Sequence, residues 1–96
     1  MKITFNWKHV DQSDAAETYA HEKMEKLEKY LHKIISFEMS FELIHGRIHA
    51  NVNINADGAT FNAHNDDKDI HPCIDGLEAK LERQLSKFHD KKTSHQ

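Results

Sequence analysis

The sequence predicts an α+β domain in the order β-α-β-β-β-α, a four-stranded sheet with two roughly parallel helices packed on one face. Three observations predict it. Four stretches alternate apolar and polar residues, two others repeat apolar residues every three or four positions, and the turn dipeptides His45-Gly46 and Asp57-Gly58 separate the last three alternating stretches. Hairpin-linked strands plus one crossover through a helix leave both helices on the same side of the sheet. The other sheet face, rich in Asn, Glu and Ser, is expected to be wet.

The first strand is Lys2–Lys8, with Ile3, Phe5 and Trp7 on one side and Lys2, Thr4, Asn6 and Lys8 on the other. From Ser13 the period changes: Ala16, Tyr19, Ala20, Met24, Leu27, Leu31 and Ile34 make an amphipathic helical stripe. Ser13 is its natural N-cap, and Asp14 and Glu17 in the first turn complement the positive helix end. Alternation then returns. Ile35, Phe37, Met39, Phe41 and Leu43 point inward from the second strand, and Ile48, Ala50, Val52 and Ile54 from the third. The fourth strand, Ala59–Asn65, alternates more weakly through Ala59, Phe61 and Ala63. Asp69 caps a last helix whose stripe is Ile70, Ile74, Leu77, Leu81, Leu85 and Phe88, with Pro72 tolerated in its first turn.

The chain has 96 residues, enough for one domain, which is read as residues 1–92 with a short flexible tail over 93–96. A domain of this size buries only about 60–65% of its unfolded surface. A hydrophobic fraction of 38% and a charged fraction of 30% fit a soluble globular protein, and five Phe, two Tyr and one Trp exclude a disordered one. No apolar run reaches the roughly 18 residues that span a bilayer, and the N-terminus lacks a signal peptide's apolar block. With a single cysteine, Cys73, an internal disulfide is excluded, so the protein is expected to be reduced and cytoplasmic.

Net charge is -3, yet the charges are sorted. On the last helix Lys80, Arg83, Lys87 and Lys91 flank the apolar stripe, while Asp75, Glu78 and Glu82 take the opposite flank. On the first, Lys26, Lys29 and Lys33 share a flank with Lys23 at its edge, and Asp14, Glu17, Glu25 and Glu28 lie across from them. The basic flank is rotated in the same sense from each apolar centre. Helices lying side by side would then join the two flanks into one basic surface suited to a polyanion. The bland alternative is a solvated helix face supported by i,i+4 pairs such as Glu22–Lys26 and Glu25–Lys29.

Other chemistry is poorly supported. The nine His include no i,i+4 helical pair, no HExxH and no paired Cys–His motif, so no metal is expected. Cys73 near His71 sits at a helix start that would lower a thiol pKa, but no third orienting group is visible, and a semi-buried structural cysteine is expected. The three Gly are scattered and form no phosphate loop. Neither cofactor nor catalytic residue is expected; the chain reads as a binding module.

One stretch carries more. Asp69-x4-Ile74-Asp75-Gly76-Leu77-x2-Lys80-Leu81-x-Arg83-Gln84-Leu85-x-Lys87 resembles the closing helix of bacterial ribosome hibernation-promoting factors, the ribosome-associated inhibitor family found at the ribosomal subunit interface. Lys23-x2-Lys26-Leu27-Glu28-x-Tyr30 agrees with that family's first helix. The resemblance covers essentially the whole chain and departs from the family at Trp7 and at His71-Pro72-Cys73.

The resemblance implies a non-enzymatic stress or stationary-phase factor that binds the small ribosomal subunit over the tRNA and mRNA sites of the decoding centre and inhibits translation. It implies that Lys23, Lys26, Lys80, Arg83 and Lys87 contact ribosomal RNA phosphates, and Lys29 and Lys91 extend the same stripes. The expected partners are the small subunit and its RNA, with a separate ribosome modulation factor as a further partner. No membrane is involved, and a monomer is expected off the ribosome. Ending at Gln96, the chain resembles the short form of the family. Two other readings stand beside this one: a double-stranded-RNA-binding module, which shares the helix, three strands, helix order, and a protein–protein adaptor that ignores RNA.

Overall fold

The alternating stretches form β1 (Thr4–Lys8), β2 (Ile34–Ile44), β3 (Arg47–Ala56) and β4 (Ala59–Asp67), and the helical ones α1 (Asp14–Glu25) and α2 (Ile70–Thr93). The computed structural model describes residues 1–93, with side chains as far as Asp90, so the tail expected over 93–96 lies outside the described residues except for Thr93, the last residue of α2. The sheet order is β1-β2-β3-β4. β1 runs parallel to β2, and the other two pairings are antiparallel. Both hairpins close on two residues with positive φ, His45 (50°) with Gly46 (76°) and Asp57 (54°) with Gly58 (76°). That geometry matches the right-handed twist of the flanking strands.

The core lies between the inner sheet face and the helices. Phe37, Met39 and Phe41 of β2 and Ala50, Val52, Ile54 and Ala56 of β3 meet Ala20 and Met24 of α1 and Ile74, Leu77, Leu81 and Leu85 of α2. Each of the four large aliphatic side chains of α2 is fully buried, which contributes about 1.5–3 kcal/mol apiece relative to exposure. Phe61 is also buried and meets Phe88 edge to face at 5.0 Å. Trp7 stacks on Phe41 with ring centroids 4.6 Å apart, and its indole Nε1–H donates to Glu17 at 2.7 Å, tying β1 to α1.

The two helices are parallel. Moving up α1 from Tyr19 to Lys23 and on to Tyr30, the partners on α2 advance from His71 and Asp75 to Glu78 and then to Glu82 and His89.

Two local expectations are corrected. The first helix does not run to Ile34: it ends at Glu25, passes through a 3₁₀ turn at Glu28–Tyr30, and is extended by Leu31. Ile34 belongs to β2. The cause is tertiary. The Asp57 carboxylate, in the β3–β4 hairpin, accepts from the backbone N–H of His32 (3.0 Å) and of Lys33 (2.7 Å), and Asp57 N–H donates to Lys33 O at 3.0 Å. These bonds hold the segment extended while Leu27 and Leu31 stay buried.

The second correction concerns β2. Ile35 is 73% exposed and drops out of the inward set, whereas Leu43 keeps that face, opposite Ile48, and is 40% exposed only because it lies near the strand end. The pairing with β3 shifts register between Ile34 and Ser36, and such a one-residue irregularity flips the side chain beyond it to the other face.

Candidate nucleic-acid interface

On α2 the residues Lys80, Arg83, Gln84 and Lys87 follow at three- and four-residue steps, so they lie in one row. α2 rests its apolar face on β3 and β4, and that row therefore overhangs the outer edge of β4. Between helix and edge runs an open groove of about 470 Å³, lined by Asn62, Ala63 and His64 of β4 and by Lys80, Arg83, Gln84 and Lys87 of α2. Three cations therefore share one wall.

They are not equivalent. Lys80 is half-buried, and its ammonium donates to His64 O at 2.6 Å, while Gln84 Nε2 donates to Asn62 O at 2.6 Å. These two side chains satisfy carbonyls that an edge strand would otherwise present to a neighbouring chain. An ammonium has three donors, so Lys80 keeps two for an anion. Arg83 and Lys87 are exposed and make no ion pair among the described residues. Lys91 is in α2, but its side chain lies outside the described ones.

The expected single basic surface does not form. In the parallel arrangement the acidic flank of α2 faces the basic flank of α1, and the two interlock. Lys23 pairs with Asp75 (3.4 Å) and Glu78 (3.5 Å), Tyr19 Oη donates to Asp75 at 2.5 Å, and Tyr30 Oη donates to Glu82 at 2.7 Å. The hydrogen bond from Tyr19, reinforced by Lys23, holds the Asp75 carboxyl below the usual range; Asp75 in turn raises both Tyr19 and Lys23. Lys23 thus sits in the seam between the helices. Lys26, the C-cap of α1, and Lys29, over the ring of Tyr30 at 5.2 Å, are exposed on the α1 side of that acidic strip, away from the groove.

The remaining candidates are placed plainly. Cys73 is fully buried, and its thiol reaches Ile48 O and Asn65 O at 3.5 and 3.4 Å. Burial pushes it up to about 11, so desolvation outweighs any lowering by the helix start, and the cysteine is structural and more deeply buried than expected. Among the described residues no three His, Cys, Asp or Glu are grouped to hold a metal ion. No described helix is long and apolar enough to cross a membrane. Sequence reasoning missed Asn62 and His64, whose signal was their alternation on β4 opposite the buried Phe61 and Ala63. It also passed over Gln84, four residues after Lys80.

A family model described as "Sigma 54 modulation protein / S30EA ribosomal protein" matches residues 3–93. The chain belongs to this family. It is similar to a ribosome hibernation promoting factor of Azotobacter vinelandii, 31% identical over 96 residues, which is 100% of this chain and 90% of that protein. The ribosome hibernation promoting factor of Escherichia coli K12 is 26% identical over 95 residues, 99% of this chain and 100% of its own length. Among solved structures, a ribosomal subunit interface protein from Coxiella burnetii superposes with a TM-score of 0.81 at 26% identity, covering 92% of this chain and 97% of that one. The S30EA family membership agrees with the resemblance read over essentially the whole chain, and the matched residues span both helices and all four strands.

Proposed function

We propose that this protein is a cytoplasmic ribosome hibernation factor that binds the small subunit over the tRNA and mRNA sites of the decoding centre and so inhibits translation in stress or stationary phase. The observation that carries the proposal is the cationic groove of Lys80, Arg83 and Lys87 along the β4 edge of a net acidic chain. The names of its relatives support the same reading.

The mechanism is occupation, not chemistry. Cations on one rigid helix meet backbone phosphates of folded RNA and release counterions, and such contacts fix position without reading sequence. Arg83 and Lys87 lead, Lys80 contributes its remaining donors, and Lys91, four residues after Lys87 in the sequence, is a further candidate. Lys26 and Lys29 form a separate patch that reaches a second stretch of RNA. Lys23 joins the helices and presents α2 at a fixed height. Any modulation factor that helps to pair ribosomes would act beside this domain.

Sedimentation with ribosomes at low and raised salt tests the proposal. Salt-sensitive co-sedimentation with the small subunit, lost when tRNA is added in excess, is expected. Protein that stays in the supernatant at low salt, or binding indifferent to tRNA, would overturn it.

A further inference from the structure

The groove continues onto the solvent face of the sheet. Asn62, Ala63 and His64 line both the groove and a second depression floored by Asn51 and Asn53 of β3. On that face Asn53 stands opposite Asn62, and Asn51 opposite His64. All four side chains are exposed. Among the described residues the amides of Asn51, Asn53 and Asn62 make no side-chain hydrogen bond, whereas Asn55 in the next row is occupied by Ser36 and Thr60, both at 2.8 Å.

The charges around this neutral patch are ordered. Its outer side, across β4, is the wall of Lys80, Arg83 and Lys87. Its inner side, across β3, is β2 with Glu38 opposite Asn53; Glu42, opposite His49, is paired with Lys8 at 3.8 Å, and Asp66, at the end of the patch on β4, with Arg47 at 2.7 Å. A polyanion seated on this gradient keeps its phosphates at the cationic wall and is repelled from β2. What extends inward over β3, about 4.8 Å per strand, is the uncharged part of each nucleotide. An amide side chain both donates and accepts, so it suits base edges and 2′-hydroxyls.

We infer that the exposed face of β3 and β4 is a second RNA contact, in which Asn51, Asn53 and Asn62 hydrogen-bond sugars and base edges of unpaired nucleotides whose phosphates lie on α2. This inference rests on the ribosomal-RNA reading of the groove. It adds neutral, specificity-determining residues to a site otherwise made of cations.

The two kinds of contact separate by salt. Phosphate contacts set the slope of log Kobs against log salt; neutral hydrogen bonds change affinity and leave the slope alone. Each such bond contributes about twofold to tenfold in affinity. The variant Asn51→Ala/Asn53→Ala/Asn62→Ala is therefore expected to bind small subunits at least about tenfold more weakly at fixed salt, with the parent slope. As a check against a folding defect, Asn53→Asp, nearly isosteric, places a carboxylate on the patch and is expected to weaken binding with an unchanged melting curve. A photo-crosslinking residue at position 53 is expected to label RNA.

Parent-like affinity in both variants, a reduced slope in the triple alanine variant, or a crosslink to a ribosomal protein would overturn the inference. If the parent itself does not bind the subunit, the proposed function fails and this contact with it; if the parent binds and only these variants are silent, only this contact fails.

Discussion

Neutralising the two exposed cations of the groove, Arg83→Gln with Lys87→Gln, gives the sharpest reading of the interface. Both side chains are free of ion pairs among the described residues, so no described ion pair is lost when they go. If each meets one phosphate, each removes about 0.7–0.9 from the salt slope, and at about 0.1 M salt each is worth roughly fivefold to eightfold in affinity. The pair should therefore weaken small-subunit binding about 25- to 60-fold and flatten the slope by about 1.4–1.8. A fluorescence titration of labelled protein with purified subunits across a salt series measures both numbers, and a melting curve checks the fold. Lys23→Gln is the internal control. It breaks the pairs with Asp75 and Glu78, so the melting temperature should fall while the salt slope stays that of the parent. The reasoning is refuted if the double variant keeps the parent slope, or if Lys23→Gln flattens it as much.

Three further outcomes follow from the fold. The Asp75 carboxyl is held below its ordinary value of 3.8, so its contribution to stability is present above that value and is lost as pH falls through the lower folded one; Asp75→Asn should flatten that part of the acid limb of melting temperature against pH, and an unchanged limb would contradict the seam. Cys73, pushed up to about 11 from 9.0, should resist thiol reagents at pH 8 in the folded protein and react once denatured; rapid native labelling would contradict its burial. A Cβ at Gly76 would lie 2.1 Å from Nδ2 of Asn65, whose amide donates to Cys73 O at 3.1 Å. Gly76→Ala should therefore cost about 1–3 kcal/mol in denaturant unfolding, and much less on an Asn65→Ala background.

Element order, both hairpins and the inward sets of β3, β4 and α2 were legible because each rests on a local signal: a period, or a dipeptide that tolerates positive φ. The misreadings share a different cause. Nothing between Met24 and Ile34 shows that the chain must be extended before Ile34, because the groups that hold His32 and Lys33 there are the carboxylate oxygens of Asp57, 25 and 24 residues away. Ile35 looks like part of an inward row because alternation assumes an unbroken register, and the irregularity before Ser36 is set by pairing with β3.

The site was half legible for the same reason. A helical wheel fixes which residues share a flank, and it gave the row of Lys80, Arg83 and Lys87 and the common sense of rotation. It does not say what each flank faces. Two parallel helices whose basic flanks turn the same way must set the basic flank of one against the acidic flank of the other. Lys23 therefore meets Asp75 and Glu78 instead of joining Arg83. That arrangement also explains how a chain of net charge -3 can offer a surface for a polyanion. Asp75, Glu78 and Glu82 of α2 are taken up in the seam by a lysine and two tyrosines, and the cations on its other flank stand over β4 beside asparagines and a histidine. What a polyanion meets at that edge is local, because screening at physiological salt shortens the reach of the remaining acids to about 8 Å.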